Sequence, residues 1–295
     1  MRILRWIVGL AVLAALAGWG LSAPRPLPDD ALAGLDGDVT RGKAVFDAGG
    51  CASCHSAEGA EGAARLVLSG GRAFASPFGT FYAPNISSDP ERGIGGWGAQ
   101  DLANAMMRGV SPDGAHYYPA FPYTSYIRAN LQDVVDLHAY LATLPADATP
   151  SLAHDVGFPF NIRRSLGVWK WLYLRDDWIV AAELTGEEAR GRYLAEALGH
   201  CGECHSPRGA LGGLVKARWL AGAPNPSGRG TIPNITPGAL DWSVADIAAY
   251  LETGFTPDYD SAGGHMAEVV ANFAQLTDAD RQAVAAYLKR VAPVE

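Results

Sequence analysis

Cysteine is scarce in this chain of 295 residues: there are four, and two short motifs use all of them, so no structural disulfide is left to staple the fold. Charge is also sparse. Charged residues make up 18% of the chain, and the net charge of −8 argues against nucleic acid as a partner and favours a partner with a basic docking face. No nucleophile–base constellation and no phosphate-cradling glycine loop stands out, which removes the usual signatures of hydrolytic and nucleotide chemistry. There is one long apolar run, at the N-terminus. The 48% hydrophobic content describes a folded protein, and 35 glycines and 19 prolines make it rich in loops.

The motifs holding the cysteines are Cys51-Ala52-Ser53-Cys54-His55 and Cys201-Gly202-Glu203-Cys204-His205. Cys-x-x-Cys-His is the pattern for covalent c-type haem attachment: two thiols bond to the porphyrin and the next histidine ligates the iron. A zinc site or a thioredoxin-like dithiol would use the same cysteines, but neither explains a histidine directly after the second cysteine, twice. The motifs therefore predict two covalently bound haem c groups, tethered by Cys51, Cys54, Cys201 and Cys204, with His55 and His205 as iron ligands.

The apolar run follows Arg2 and Arg5, which orient an exported chain with its N-terminus left inside. Ala15-Leu16-Ala17 has the form of a cleavage site, so a signal peptide is one reading of residues 1–23. Ile3 to Leu21 approaches the roughly twenty residues that span a bilayer, and Trp6 and Trp19 sit where interfacial anchors belong. The favoured expectation is a retained anchor holding the rest at the periplasmic side of the bacterial inner membrane. Residues 24–37, with Pro24, Pro26 and Pro28, read as an extended spacer.

Beyond the spacer one unit is written twice. Arg41-Gly42-Lys43 recurs as Arg190-Gly191-Arg192, Ala83-Pro84-Asn85-Ile86 as Ile232-Pro233-Asn234-Ile235, and Tyr140-Leu141 as Tyr287-Leu288, at an offset close to 150. The expected architecture is all-α, with an N-terminal hydrophobic helix and two tandem cytochrome c-like domains at 38–147 and 185–295. Each unit reads as helix, haem motif, long loop, helix, loop, helix. Thr185 and Glu188 form a capping box for a helix over 186–198. Asp241 or Ser243 caps a helix stopped by Gly254, and Thr277 and Asn130 precede the last helix of each unit. His138 falls on the flank of an apolar stripe and reads as packed or solvated. Residues 148–184 join the units with an aromatic concentration, Phe158 to Arg163 and Val168 to Tyr173, suited to packing between domains or to docking on a partner or membrane.

A second axial ligand is harder to assign. Met266, twelve residues past Gly254, lies in the loop before the final helix and is expected to ligate the second iron. The same count from Gly109 reaches Phe121, which cannot ligate. For the first iron three readings stand: His116 as a second imidazole, Met106 or Met107 from the preceding helix, or a five-coordinate site.

The run from His116 to Tyr126, with Phe158 to Arg163 and the tandem motifs, resembles the multihaem cytochrome c subunits of membrane-bound alcohol, gluconate and related dehydrogenases. In that family a Tyr-Pro-Ala-Met-Pro-Tyr run carries the first haem's methionine, where this chain has Phe121, and many members have three haems rather than two. The resemblance implies an electron-transfer subunit that takes electrons from a membrane-associated dehydrogenase catalytic subunit and passes them to quinone, another cytochrome or a terminal oxidase. A dihaem peroxidase with an open first haem is the competing expectation.

Overall fold

The computed structural model describes residues 1–226 and 230–295. Helix α1 (Arg2–Leu21) carries no acidic residue and stands clear of the remaining chain until its last turn. The first unit contains α2 (Val39–Ala48), α3 (Cys51–His55), a hairpin of β1 (Ala73–Ser76) and β2 (Gly79–Tyr82), then α4 (Ala99–Ala103), α5 (Tyr123–Tyr126) and α6 (Leu131–Leu141). Helix α7 (Leu166–Tyr173) lies between the units. The second contains α8 (Gly186–Arg192), α9 (Gly202–His205), strands β3 (Ala223–Pro224) and β4 (Thr231–Ile232), then α10 (Val244–Thr253), α11 (His265–Phe273) and α12 (Asp278–Leu288).

Helices carry the core, but the expectation of an all-α chain needs qualifying. Each unit has a short antiparallel pair, with Ala73 opposite Tyr82 in one and Ala223 opposite Ile232 in the other. The signal was weak because these strands are too short for an alternating pattern to show.

Each unit is built on a crossing of its first and last helices, α2 with α6 and α8 with α12. The repeated glycine makes both crossings possible. A Cβ at Gly42 would collide with the carbonyl oxygen of Asp136, and one at Gly191 with that of Ala283. The preceding arginine then ties the pair: Arg41 Nε donates to Asp136 at 2.6 Å and Arg190 Nε to Asp280 at 2.7 Å. Caps hold the helix starts. Thr185 and Glu188 form the reciprocal capping box, Ser243 rather than Asp241 caps α10, and Thr277 caps α12. Asn130 precedes α6 without a side-chain cap. His138 donates from Nε2 to the Trp97 carbonyl, 2.9 Å away, as a packed residue does.

The spacer is not free-standing. Leu27 is buried in the core and its N–H donates to Asn104 Oδ1 at 2.7 Å, while Gln100 and Gln132 donate to the carbonyls of Pro28 and Asp36. Its prolines cannot pair in a ladder, so side chains of the first unit satisfy its backbone.

Candidate haem sites

In each unit the haem motif forms one short helical turn. The two cysteines lie three residues apart on one face, and the histidine follows at the next position. The repeated Pro-Asn pair then fixes the histidine. His55 Nδ1 is 2.8 Å from the Pro84 carbonyl, and His205 Nδ1 is 2.8 Å from the Pro233 carbonyl. A carbonyl only accepts, so Nδ1 carries the proton and the lone pair of Nε2 is left for a metal. Burial lowers the pKa of both rings, with the carbonyl opposing it, which keeps the imidazole neutral as ligation requires.

The carbonyls are held in place by asparagine. Asn85 Oδ1 accepts from Ser87 N–H while its Nδ2 donates to the carbonyls of Asp147 and Thr149. Asn234 does the same with Thr236 N–H and the Val294 carbonyl. The histidine carbonyl also has its own donor, Gly70 N–H in one unit and Gly222 N–H in the other, each at 2.7 Å. Both glycines have positive φ, 75° and 81°, and a Cβ on Gly70 would lie 2.5 Å from the Ala83 oxygen. These glycines were not singled out from the sequence. The Pro-Asn repeat was seen there, but its role was not.

The thiols fit attachment better than the alternatives. Burial pushes Cys51 and Cys201 up to about 12 and Cys54 up to about 11, away from the lowered pKa of a redox dithiol. Among the described residues no cluster of three or more His, Cys, Asp or Glu side chains is arranged to hold a metal ion alone. The donor set therefore suits haem c, which supplies reversible one-electron chemistry when bound.

The two distal segments can be matched by their hydrogen bonds rather than by counting. Tyr117 N–H donates to the Gly109 carbonyl at 2.7 Å, as Ala262 N–H does to that of Gly254, and the bridge of Val110 with His116 corresponds to that of Phe255 with Ser261. This register puts Phe121 opposite Met266. Met266 is half-buried in the first turn of α11, a helix where the sequence suggested a loop, and packs against the core. Phe121 packs edge-on to Tyr117 and Tyr126. Met106 and Met107 are both buried in the core, in a widened turn following α4.

His116 needs correction. Its ring is 3% exposed; Nε2 donates to the Ser22 carbonyl at 2.9 Å and Nδ1 accepts from Lys170 Nζ at 3.0 Å. Both nitrogens are committed, so none remains for iron. The same lysine donates to the carbonyls of Arg108 and Gly109, and burial lowers its pKa to about 7 while these acceptors favour its charge. The sequence had no local signal for this, since Ser22 is 94 residues away. We predict that His116→Ala leaves the first haem's absorption spectrum unchanged and costs about 1–3 kcal/mol in thermal or denaturant unfolding.

The two motifs lie against each other. His200, preceding Cys201, has Nε2 3.3 Å from the Gly49 carbonyl, and its ring meets Tyr126 edge-on. Each motif is gripped by the other unit's distal segment. Arg72 donates to the Ser53 carbonyl and to Glu268, two residues past Met266, at 2.8 Å. Asn272 of α11 donates to Ser53 Oγ at 2.8 Å. In return Thr124, three residues past Phe121, donates to Glu203 of the second motif at 3.1 Å. Arg72→Ala is expected to cost about 1–3 kcal/mol, and a cycle with Glu268→Ala should be clearly non-additive. Unfolding of the four proteins followed by haem absorbance checks this.

Helices crossing behind a Cys-x-x-Cys-His turn, with the histidine held by a proline carbonyl, define a helical domain for covalent haem. The chain belongs to the cytochrome c family, whose model matches residues 39–145 and 188–292. It is 58% identical to a "Diheme cytochrome c-type" protein of Cereibacter sphaeroides, over 98% of this chain and 97% of that one. It is 38% identical to the fructose dehydrogenase cytochrome subunit of Gluconobacter japonicus and 36% identical to the cytochrome c subunit of a quinone alcohol dehydrogenase of Gluconacetobacter polyoxogenes. Each alignment takes in 96% of this chain but only 58% and 61% of those subunits. The chain is an electron carrier of the cytochrome subunit kind rather than a substrate-oxidising enzyme.

Proposed function

We propose that this is a dihaem relay, anchored by α1 at the periplasmic face of the inner membrane. It takes electrons from a membrane-associated dehydrogenase catalytic subunit and hands them to quinone or to another cytochrome or oxidase. The observation that carries the reading is the reciprocal clasp: Glu203 of one motif and Ser53 of the other are each bonded by the opposite unit's distal segment. Two carriers held this way act as one conductor, because separation between redox centres is fixed by packing and not by diffusion. Cys51, Cys54 and His55 would hold one haem, and Cys201, Cys204, His205 and Met266 the other. Thioether ligation raises the potential of the second site relative to a site without it. Both ring nitrogens of His116 are hydrogen-bonded, to Ser22 and Lys170, which supports a first site without a distal imidazole from that residue.

The names of the relatives support a dehydrogenase partner, since several are cytochrome subunits of alcohol, fructose or gluconate dehydrogenases. The test is to isolate the chain from membranes with its associated subunits and add the substrate of the co-purified dehydrogenase. Both haems should reduce in sequence. Failure of either to reduce would sink the relay, and rapid turnover of peroxide at the first haem would replace it with the peroxidase reading.

A further inference from the structure

Helix α7 is built inside out for a protein surrounded by water. It buries Leu166, Gly167 and the ammonium of Lys170, while Val168, Trp171 and Leu172 point outward, with Trp171 60% exposed. Those three positions fall at i, i+3 and i+4, one continuous face. The loop before it adds Phe158, 81% exposed, and the exposed Phe160 and Ile162. Six large apolar side chains within fifteen residues make a patch that a solitary soluble protein does not leave in water. The remaining aromatic residues of the segment explain the packing between units and not this face: Trp169 Nε1 donates to the Leu211 carbonyl at 2.7 Å, and Tyr173 closes over Gly213.

The same segment grips the end of α1. Arg164 donates from Nη2 to the Trp19 carbonyl at 2.6 Å and from Nε to Ser22 Oγ at 3.0 Å, and its guanidinium lies 4.2 Å over the Trp19 ring. His116 donates to the Ser22 carbonyl on the other side. Ser22 is buried against Gly167 so closely that any Cβ on that glycine would strike the Ser22 backbone. Helix α1 is the one helix among the described residues long and apolar enough to cross a membrane, and Trp19 lies in its last turn.

We propose that the face formed by Phe158, Phe160, Ile162, Val168, Trp171 and Leu172 is seated in the lipid interface, continuing the membrane contact begun by α1. The occupant is set by continuity. The patch belongs to the element that clamps the emerging end of the anchor, and Trp19, Trp171 and the arginines Arg163 and Arg164 supply the aromatic and basic groups that interfacial segments use. A rigid clamp together with a second contact fixes the tilt of the first haem unit relative to the bilayer, where an anchor on a free tether would let it swing.

This rests on the anchor reading, and the test separates the two. All native cysteines belong to haem motifs, so single introduced cysteines can be spin-labelled in the full, haem-loaded chain. Phe158→Cys and Trp171→Cys are compared in lipid nanodiscs of zwitterionic and anionic phospholipid with Leu10→Cys inside α1 and Tyr259→Cys on an exposed loop of the second unit. The ratio of oxygen to water-soluble nickel-complex collisions is measured at each label. The expected result is a several-fold higher ratio at positions 158 and 171 than at 259, approaching that at 10. Labels at 158 and 171 that match 259, with 10 still embedded in lipid, overturn the proposal, assign the patch to a protein partner, and leave the anchor standing. A water-exposed label at 10 overturns the anchor and the proposal together.

Discussion

Phe121→Met is expected to raise the potential of the first haem, moving it toward that of the second by a substantial part of the roughly 0.8 V range that axial ligation commands. The basis is register: the paired hydrogen bonds of Tyr117 with Gly109 and of Ala262 with Gly254 place position 121 where Met266 sits in the other unit. Methionine is unbranched and flexible, so it can replace a half-buried phenylalanine without overfilling the space. A spectroelectrochemical titration that resolves two steps in the natural chain should draw toward one, and the thioether-to-ferric-iron absorption band should grow by the contribution of a second site. An unchanged titration would mean that the first iron already has a distal ligand. Met106 and Met107 would then be its only methionine sources in this unit.

Gly191→Val should have the largest effect on stability. The crossing of α8 and α12 puts the backbone of Ala283 where the new Cβ must go, and the Tyr287 Cβ would also lie only 2.7 Å from it. Backbone cannot rotate away as a side chain can, so the helices must separate. Overpacking typically costs about 1–3 kcal/mol. Separation would further loosen Arg190 from Asp280 and the buried chain in which Trp219 donates to Tyr287 and Tyr287 to Glu196, bringing the expected loss to about 4 kcal/mol or more. That approaches the whole stability of a small domain. Thermal unfolding should show the second unit melting early, with a change in its haem absorbance, while the first unit persists. Gly186→Ala is the control: a Cβ there meets nothing within 4 Å, and alanine favours helix, so the melting point should hold or rise slightly.

Much of this was readable from residues alone because it depends on local chemistry. Cys51 to His55 and Cys201 to His205 announce their cofactor by spacing, and Thr185, Ser243 and Thr277 announce helix starts by capping. The repeated Arg-Gly pair was visible, but the reason for its glycine was not, since the colliding carbonyl of Asp136 or Ala283 lies about ninety residues further on. His116 shows the limit most clearly. It sat at a plausible distance along the chain from Gly109 for a ligand, and only the folded chain brings Ser22 and Lys170 to its two nitrogens.

The sequence by itself determined how many attachment motifs there are, which cysteines and histidines they use, and that Met266 has no methionine twin at position 121, because these are properties of residue type and spacing. Tertiary structure decided what His116 holds, that each motif is gripped by the opposite unit, and that α7 turns its apolar face outward. Those outcomes depend on contacts between residues tens to hundreds of positions apart, where hydrogen-bonding capacity and shape, and not sequence neighbourhood, select the partner.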